Sequence, residues 1–186
     1  MMRFSFDERK ATQAAVHVLK RAGGSMNAYH LLKIIYYANR VSLIDRGLPL
    51  TGDELKDLPD GPAPQNTYDL LKGHAGYWGE HVSVRDGQHQ VSVLKDAGDG
   101  ALSEYETGML DGLADRFGRL THDEMKAEAH RWPEHTEMGS GARVIAPEDL
   151  LRIGSYTEEE IRQAQASAEE FGRLDHPEPA AKRPAA

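Results

Sequence analysis

The chain has 186 residues, 39 % hydrophobic and 28 % charged, with a formal charge of −8 and a pI of about 5.6. That length suits one domain with a tail, and the acidity opposes broad, charge-driven binding to nucleic acid, which needs a basic surface. With no cysteines, disulfides, thiolate metal sites and cysteine catalysis are excluded.

The N-terminal MMRFSFDERK lacks the apolar run of a signal peptide, and no window approaches 18 uninterrupted apolar residues. A soluble cytoplasmic protein without a membrane span is expected. Ala11, Ala14, Ala15, Val18 and Leu19 recur at spacings of three and four, which predicts a first helix over Asp7 to Arg21, ended by Gly23 and Gly24. Asn27 then caps a second helix, Ala28 to Asp45. Ten of the fourteen residues from Leu31 to Ile44 are apolar or aromatic, so this helix belongs inside the domain. Its polar residues Lys33, Tyr36 or Tyr37, and Arg40 share one face. Gly47 and Pro49 stop it.

Leu48 to Leu58 fits either extended chain or a helical turn. Asp60-Gly61-Pro62 reads as a turn, and Pro64 suits the first turn of a short helix ending near Gly73. Alternating Val-rich runs at His81 to Arg85 and His89 to Leu94, around Asp86-Gly87, predict a hairpin. Three capping boxes follow, Ser103 with Glu106, Thr121 with Glu124, and Thr157 with Glu160. They start helices over Glu104 to Phe117, His122 to His130 and Glu158 to Gly172, with a further helical piece at Pro147 to Arg152. The Pro- and Ala-rich end, residues 176–186, is expected to be a disordered tail. The fold expected is α+β and mainly α-helical: one domain over residues 1–175, with about six helices and one small hairpin at about 81–94.

Chemistry is sparse in these patterns. Nine histidines suggest a metal, but His122, His130 and His135 with Glu134 miss the spacing of helical ligand pairs, and Pro133 interrupts them. Glu158, Glu159 and Glu160 sit at a helix start, where carboxylates stabilise the dipole. Gly139-Ser140-Gly141 lacks the strand and lysine of a phosphate loop. The first two helices resemble a helix-turn-helix only in outline, because the second is too apolar to read base edges. The stripe Lys33, Tyr36, Tyr37, Arg40 fits either a binding surface, where Tyr and Arg concentrate energy, or ordinary core closure. Trp132, beside His130, has the same two readings; Trp78 is expected at the hairpin base. No cofactor or metal is expected.

LLKIIYYANRVSL followed by GLPLTGDELKDLPDGPAPQNTYDLLKG resembles the core of the Panacea-domain family, which includes SocA-like and GepA-like antitoxins. The matching pieces are the KLLYYADR-like helix at Lys33 to Arg40, the GxPLT segment at Gly47 to Thr51, GPxP at Gly61 to Pro64, and the Tyr-bearing helix at Tyr68 to Lys72. Met125 to Trp132 resembles the family's LSxxSHxxxxW region through His130, although Ala129 stands at the usual Ser and Trp132 comes early. The resemblance implies an antitoxin of a bacterial toxin–antitoxin system that binds its toxin directly. In the SocA type it implies a proteolytic adaptor that brings the toxin to the ClpXP protease. Partner-binding residues expected on this basis are Lys33, Tyr36, Tyr37, Arg40, Asp60, Pro62, Pro64, Tyr68, His130 and Trp132. The terminal Ala185-Ala186 resembles a protease-recognition signal. Two competing classes are a DNA-binding regulator and a hydrolase using His130 with acidic neighbours.

Overall fold

The structure is a computed structural model that describes residues 2–73, 76–85, 89–137 and 140–175, with side chains described as far as Ala168. Helix α1 (Glu8–Arg21) starts where the Asp7 side chain accepts from the Lys10 amide. Its five expected stripe residues are all fully buried. The chain then turns through Gly23 and Gly24 into β1 (Ser25–Asn27) and α2 (Ala28–Arg46). The Asn27 side chain caps α2 by accepting from the Tyr29 amide. Gly47, in the left-handed region at φ +72°, closes it with a bond to the Leu43 carbonyl.

After α2 come β2 (Leu55–Asp57), β3 (Ala63–Pro64), α3 (Gln65–Lys72) and α4 (Gly76–His81). Then follow β4 (Val82–Arg85), β5 (Gln90–Val93), α5 (Glu104–Phe117) and α6 (His122–Ala129). The chain continues through β6 (Arg143–Val144) and α7 (Pro147–Ile153) to α8 (Glu158–Asp175). Helix α2 is the central beam: α1, α5, α6 and α7 all pack on it. Leu31, Ile34, Ile35, Tyr36 and Ala38 are without solvent exposure. Two small antiparallel sheets flank it, ordered β1-β5-β4 and β3-β2-β6.

The mainly helical α+β expectation agrees with this architecture. Eight helices are present among the described residues, not about six. Helix α4 escaped because Gly76 and Gly79 depress helix propensity over six residues. Leu48 to Leu58 resolves as extended chain containing β2, and β1 adds a third strand to the expected hairpin. Strands of two or three residues are too short to display a period of two. Pro64 lies one residue before α3, not within its first turn. The three capping boxes form as expected. Trp78 lies fully buried in α4, next to the hairpin. The Asp86-Gly87 turn, Gly139 and the tail at 176–186 lie outside the described residues.

Candidate functional site

Several polar residues of α2, Lys33, Tyr36 and Asn39 among them, do not face water. They form a buried seam against which two segments are laid, residues 51–64 and residues 130–137. Lys33 is 1 % exposed. Its Nζ donates to the carbonyls of Gly61 at 2.7 Å and Pro62 at 2.8 Å, and lies 4.9 Å from the centre of the Tyr29 ring. Burial pulls this amine down to about 7, against the opposing fields of Asp60 and Asp57. One turn on, the Tyr36 hydroxyl donates to Glu134 Oε1 at 2.7 Å, and Arg40 Nε donates to the same oxygen at 2.8 Å. Burial and then the Glu134 charge push the Tyr36 phenol well above its ordinary range. Trp132 stacks on Tyr36, ring centres 5.1 Å apart and 16° from parallel, and tilts against Tyr37.

Residues 51–57 are fastened by three more buried polar side chains. Asn39 Oδ1 accepts from the amide and hydroxyl of Thr51. Asp53 accepts from the amides of Asn66 and Thr67 and from the Thr67 hydroxyl. It thereby caps α3, whose own N-cap residue, Pro64, has no side-chain acceptor to offer. Asp57 accepts from His135 Nδ1 at 2.6 Å, from the Thr136 amide at 2.8 Å and from Arg143 at 3.3 Å. One strand residue therefore anchors the second segment and β6 together.

Between these anchors the turn at 58–62 reaches the surface. The exposed Asp60 accepts from Lys126 Nζ at 2.7 Å, which holds its carboxyl below the usual range. Its backbone carbonyl accepts from the Tyr29 hydroxyl at 2.8 Å. Gly61 sits at φ +87°, where a Cβ would lie 2.9 Å from that of Ala129 and 3.4 Å from Lys33 Nζ. Only glycine lets the turn pass this close. Beside the turn opens a cleft of about 380 Å³, lined by Tyr29, Leu32, Lys33, Leu58, Tyr68 and Leu71 among others.

The structure thus gathers the expected residues into two groups. Lys33, Asp60 and Pro62 meet at the turn, with Tyr68 across the cleft. Tyr36, Tyr37, Arg40 and Trp132 meet around Glu134. His130 joins them, its ring 4.4 Å from that of His135 and its edge near Gly61. Pro64 is buried in β3. Lys33, Tyr36, Pro62, Pro64 and Trp132 are interior, whereas Tyr37, Arg40, Tyr68 and His130 are partly exposed and Asp60 is exposed. Ala185 and Ala186 lie outside the described residues. Residue patterns alone missed Tyr29, Asn39, Asp53 and Asp57. The available signal was polar side chains recurring through a stretch otherwise rich in Leu and Pro.

For a hydrolase the nearest arrangement is Asp57–His135 beside His130, but among the described residues no hydroxyl hydrogen-bonds to either ring. No group of three or more His, Asp or Glu among the described residues is placed to hold a metal ion. No helix among them is long and apolar enough to cross a membrane.

A search of curated proteins and a search of solved structures each found no match. A family model does match, "Antitoxin SocA-like, Panacea domain", over residues 31–134 of the 186. The match starts in α2 and ends at Glu134, the carboxylate that Tyr36 and Arg40 hold. The chain belongs to the SocA-like antitoxin family, and the matched region is its Panacea domain.

Proposed function

We propose that this chain is the antitoxin of a toxin–antitoxin pair and neutralises its toxin by direct protein–protein binding. The observation that carries the reading is the family match over 31–134, which spans the first segment fastened to the α2 seam and the second as far as Glu134. Asp60, Tyr68, Tyr37 and Arg40 reach the surface on this face and are the residues assigned to touch the toxin. Lys33, Tyr36, Pro62, Pro64 and Trp132 act from beneath, by fixing the turn at 58–62 and the segment at 130–137. His130, packed between the two, couples them. A rigid, pre-shaped face lowers the ordering cost of association. The charge of −8 suits a basic partner, since complementary fields speed encounter.

Co-expression with the product of the adjacent reading frame tests this proposal. Growth rescue and co-purification support it; toxicity unchanged by the antitoxin, with no complex recovered, removes it. Asp60→Lys and Tyr68→Ala weaken rescue while leaving the fold intact; full rescue by both variants removes this face from the reading.

The finer reading is a cytoplasmic adaptor that hands the bound toxin to ClpXP. An adaptor shortens the toxin's half-life only in cells that contain ClpX. Simple sequestration leaves that half-life unchanged or lengthens it. Within the adaptor reading, Ala185-Ala186 serves as the protease-recognition end, and deleting Pro184 to Ala186 slows turnover of the antitoxin. Equal half-lives for the truncated and full-length chains remove that part alone.

A further inference from the structure

The cations along the seam are not treated alike. Arg40 has Glu134, Lys126 has Asp60, and Arg143 has Asp57. Lys33 is the most deeply buried of these and forms no ion pair among the described residues. The two carboxylates whose fields reach it, Asp60 and Asp57, are each occupied by another cation. An ammonium carries three N–H donors, and the carbonyls of Gly61 and Pro62 take two of them. The Nζ also lies 4.9 Å from the centre of the Tyr29 ring, and Lys33 lines the cleft beside the turn with no carboxylate paired directly to it among the described residues.

Apart from Asp60 at its rim, most of the rest of that cleft is apolar. Ala28, Leu32, Ala63 and Leu71 are buried along it, and Tyr29 and Tyr68 border it. Its volume of about 380 Å³ falls in the range of small-ligand sites, which pair a mostly apolar lining with a few fixed polar groups. A single buried cation in such a lining selects for an anion, because the pair gains strength where water is excluded.

We propose that the cleft beside the 58–62 turn is a binding site for an apolar carboxylate, its hydrocarbon part between Tyr29 and Tyr68 and its carboxylate on Lys33 Nζ. Asp60 also borders the cleft and its field reaches Lys33, but its carboxylate is paired with Lys126 Nζ at 2.7 Å, which offsets its repulsion of an anion. The ligand rests on the same loop that the antitoxin reading assigns to the toxin, but the site does not depend on that reading. Occupancy would add a third partner to Lys33 and stiffen the loop.

The test is a calorimetric titration of the full chain at pH 6 with 4-methylpentanoate and, separately, with its uncharged amide. The acid is expected to bind at least tenfold more tightly than the amide, and the preference to shrink as pH rises above neutrality and the Lys33 amine loses its proton. Lys33→Met abolishes the preference. Should that variant not fold, Tyr68→Ala serves instead: it weakens both probes and leaves their ratio unchanged. Equal binding of acid and amide, or no binding of either at millimolar concentration, overturns the proposal. A toxin that still co-purifies in that event leaves the antitoxin reading standing.

Discussion

Tyr36 and Glu134 lie 98 positions apart in sequence, yet the phenol donates to the carboxylate at 2.7 Å in the interior. That bond, together with Arg40 on the same oxygen and Trp132 stacked on the Tyr36 ring, pins the 130–137 segment to the central helix. Glu134 is 1 % exposed at its side chain and Arg40 12 %. Breaking such a pair by removing one member leaves the other charge buried, at a cost of about 3–5 kcal/mol. Glu134→Ala is expected to lower unfolding free energy by about 3 kcal/mol. Urea denaturation of the two proteins measures it. A loss under about 1 kcal/mol contradicts the view that this contact anchors the segment.

Gly61 is expected to tolerate no side chain. At φ +87°, and with a Cβ 2.9 Å from Ala129, Gly61→Ala adds backbone strain and a collision with α6. The expected cost is about 1–3 kcal/mol, measured by thermal or urea unfolding. The turn also has to move, so growth rescue falls more than stability alone explains. A variant as stable and protective as the parent contradicts the close passage of this turn over Lys33 and Ala129.

Asp53 caps α3 across the fold, so Asp53→Ala leaves the amides of Asn66 and Thr67 without their acceptor. A lost cap with buried donors is expected to cost about 2 kcal/mol. Amide hydrogen exchange reports it locally: protection falls at the start of α3 and is retained in α1. Uniform loss of protection, or none, contradicts a capping role.

The Lys33 amine sets a pH dependence whose sign is fixed. Folding lowers it from 10.5 to about 7, so between those values the unfolded chain holds a proton that the folded chain has released. Stability contributed by this group therefore rises with pH across that window and is lost as pH falls back through about 7. The difference in unfolding free energy between the parent and Lys33→Met is expected to shift in the parent's favour by about 1–3 kcal/mol from pH 7 to pH 9.5. Denaturant titrations of both at the two pH values give it. A flat difference means that Lys33 stays charged throughout.

What the residues disclose in advance, and what they do not, divides by sequence distance. The α1 stripe, the Asn27 and Gly47 ends of α2, and the three capping boxes are signals within four residues of each other, and each matches the structure. The seam is built from pairs that no local pattern links, Lys33 with Gly61, Tyr36 with Glu134, and Asp57 with His135. A stripe of Lys, Tyr and Arg on one helical face therefore fits a binding surface as well as a core boundary. What makes Lys33 and Tyr36 interior is the backbone laid over them. The strand β6 is hidden for the same reason, since its partner β2 lies far along the chain, whereas β2 and β3 are near neighbours too short to show a period of two.

The most direct measurement is purification of the chain after co-expression with the toxin of the adjacent reading frame, paired with growth of the host. The expected result is rescued growth and a stable complex for the parent. Tyr68→Ala and Asp60→Lys should weaken both while remaining folded by circular dichroism. Rescue without any complex, abolished by replacing His130, His135 or Asp57 and unaffected by the two surface changes, would instead place a reaction where binding is proposed.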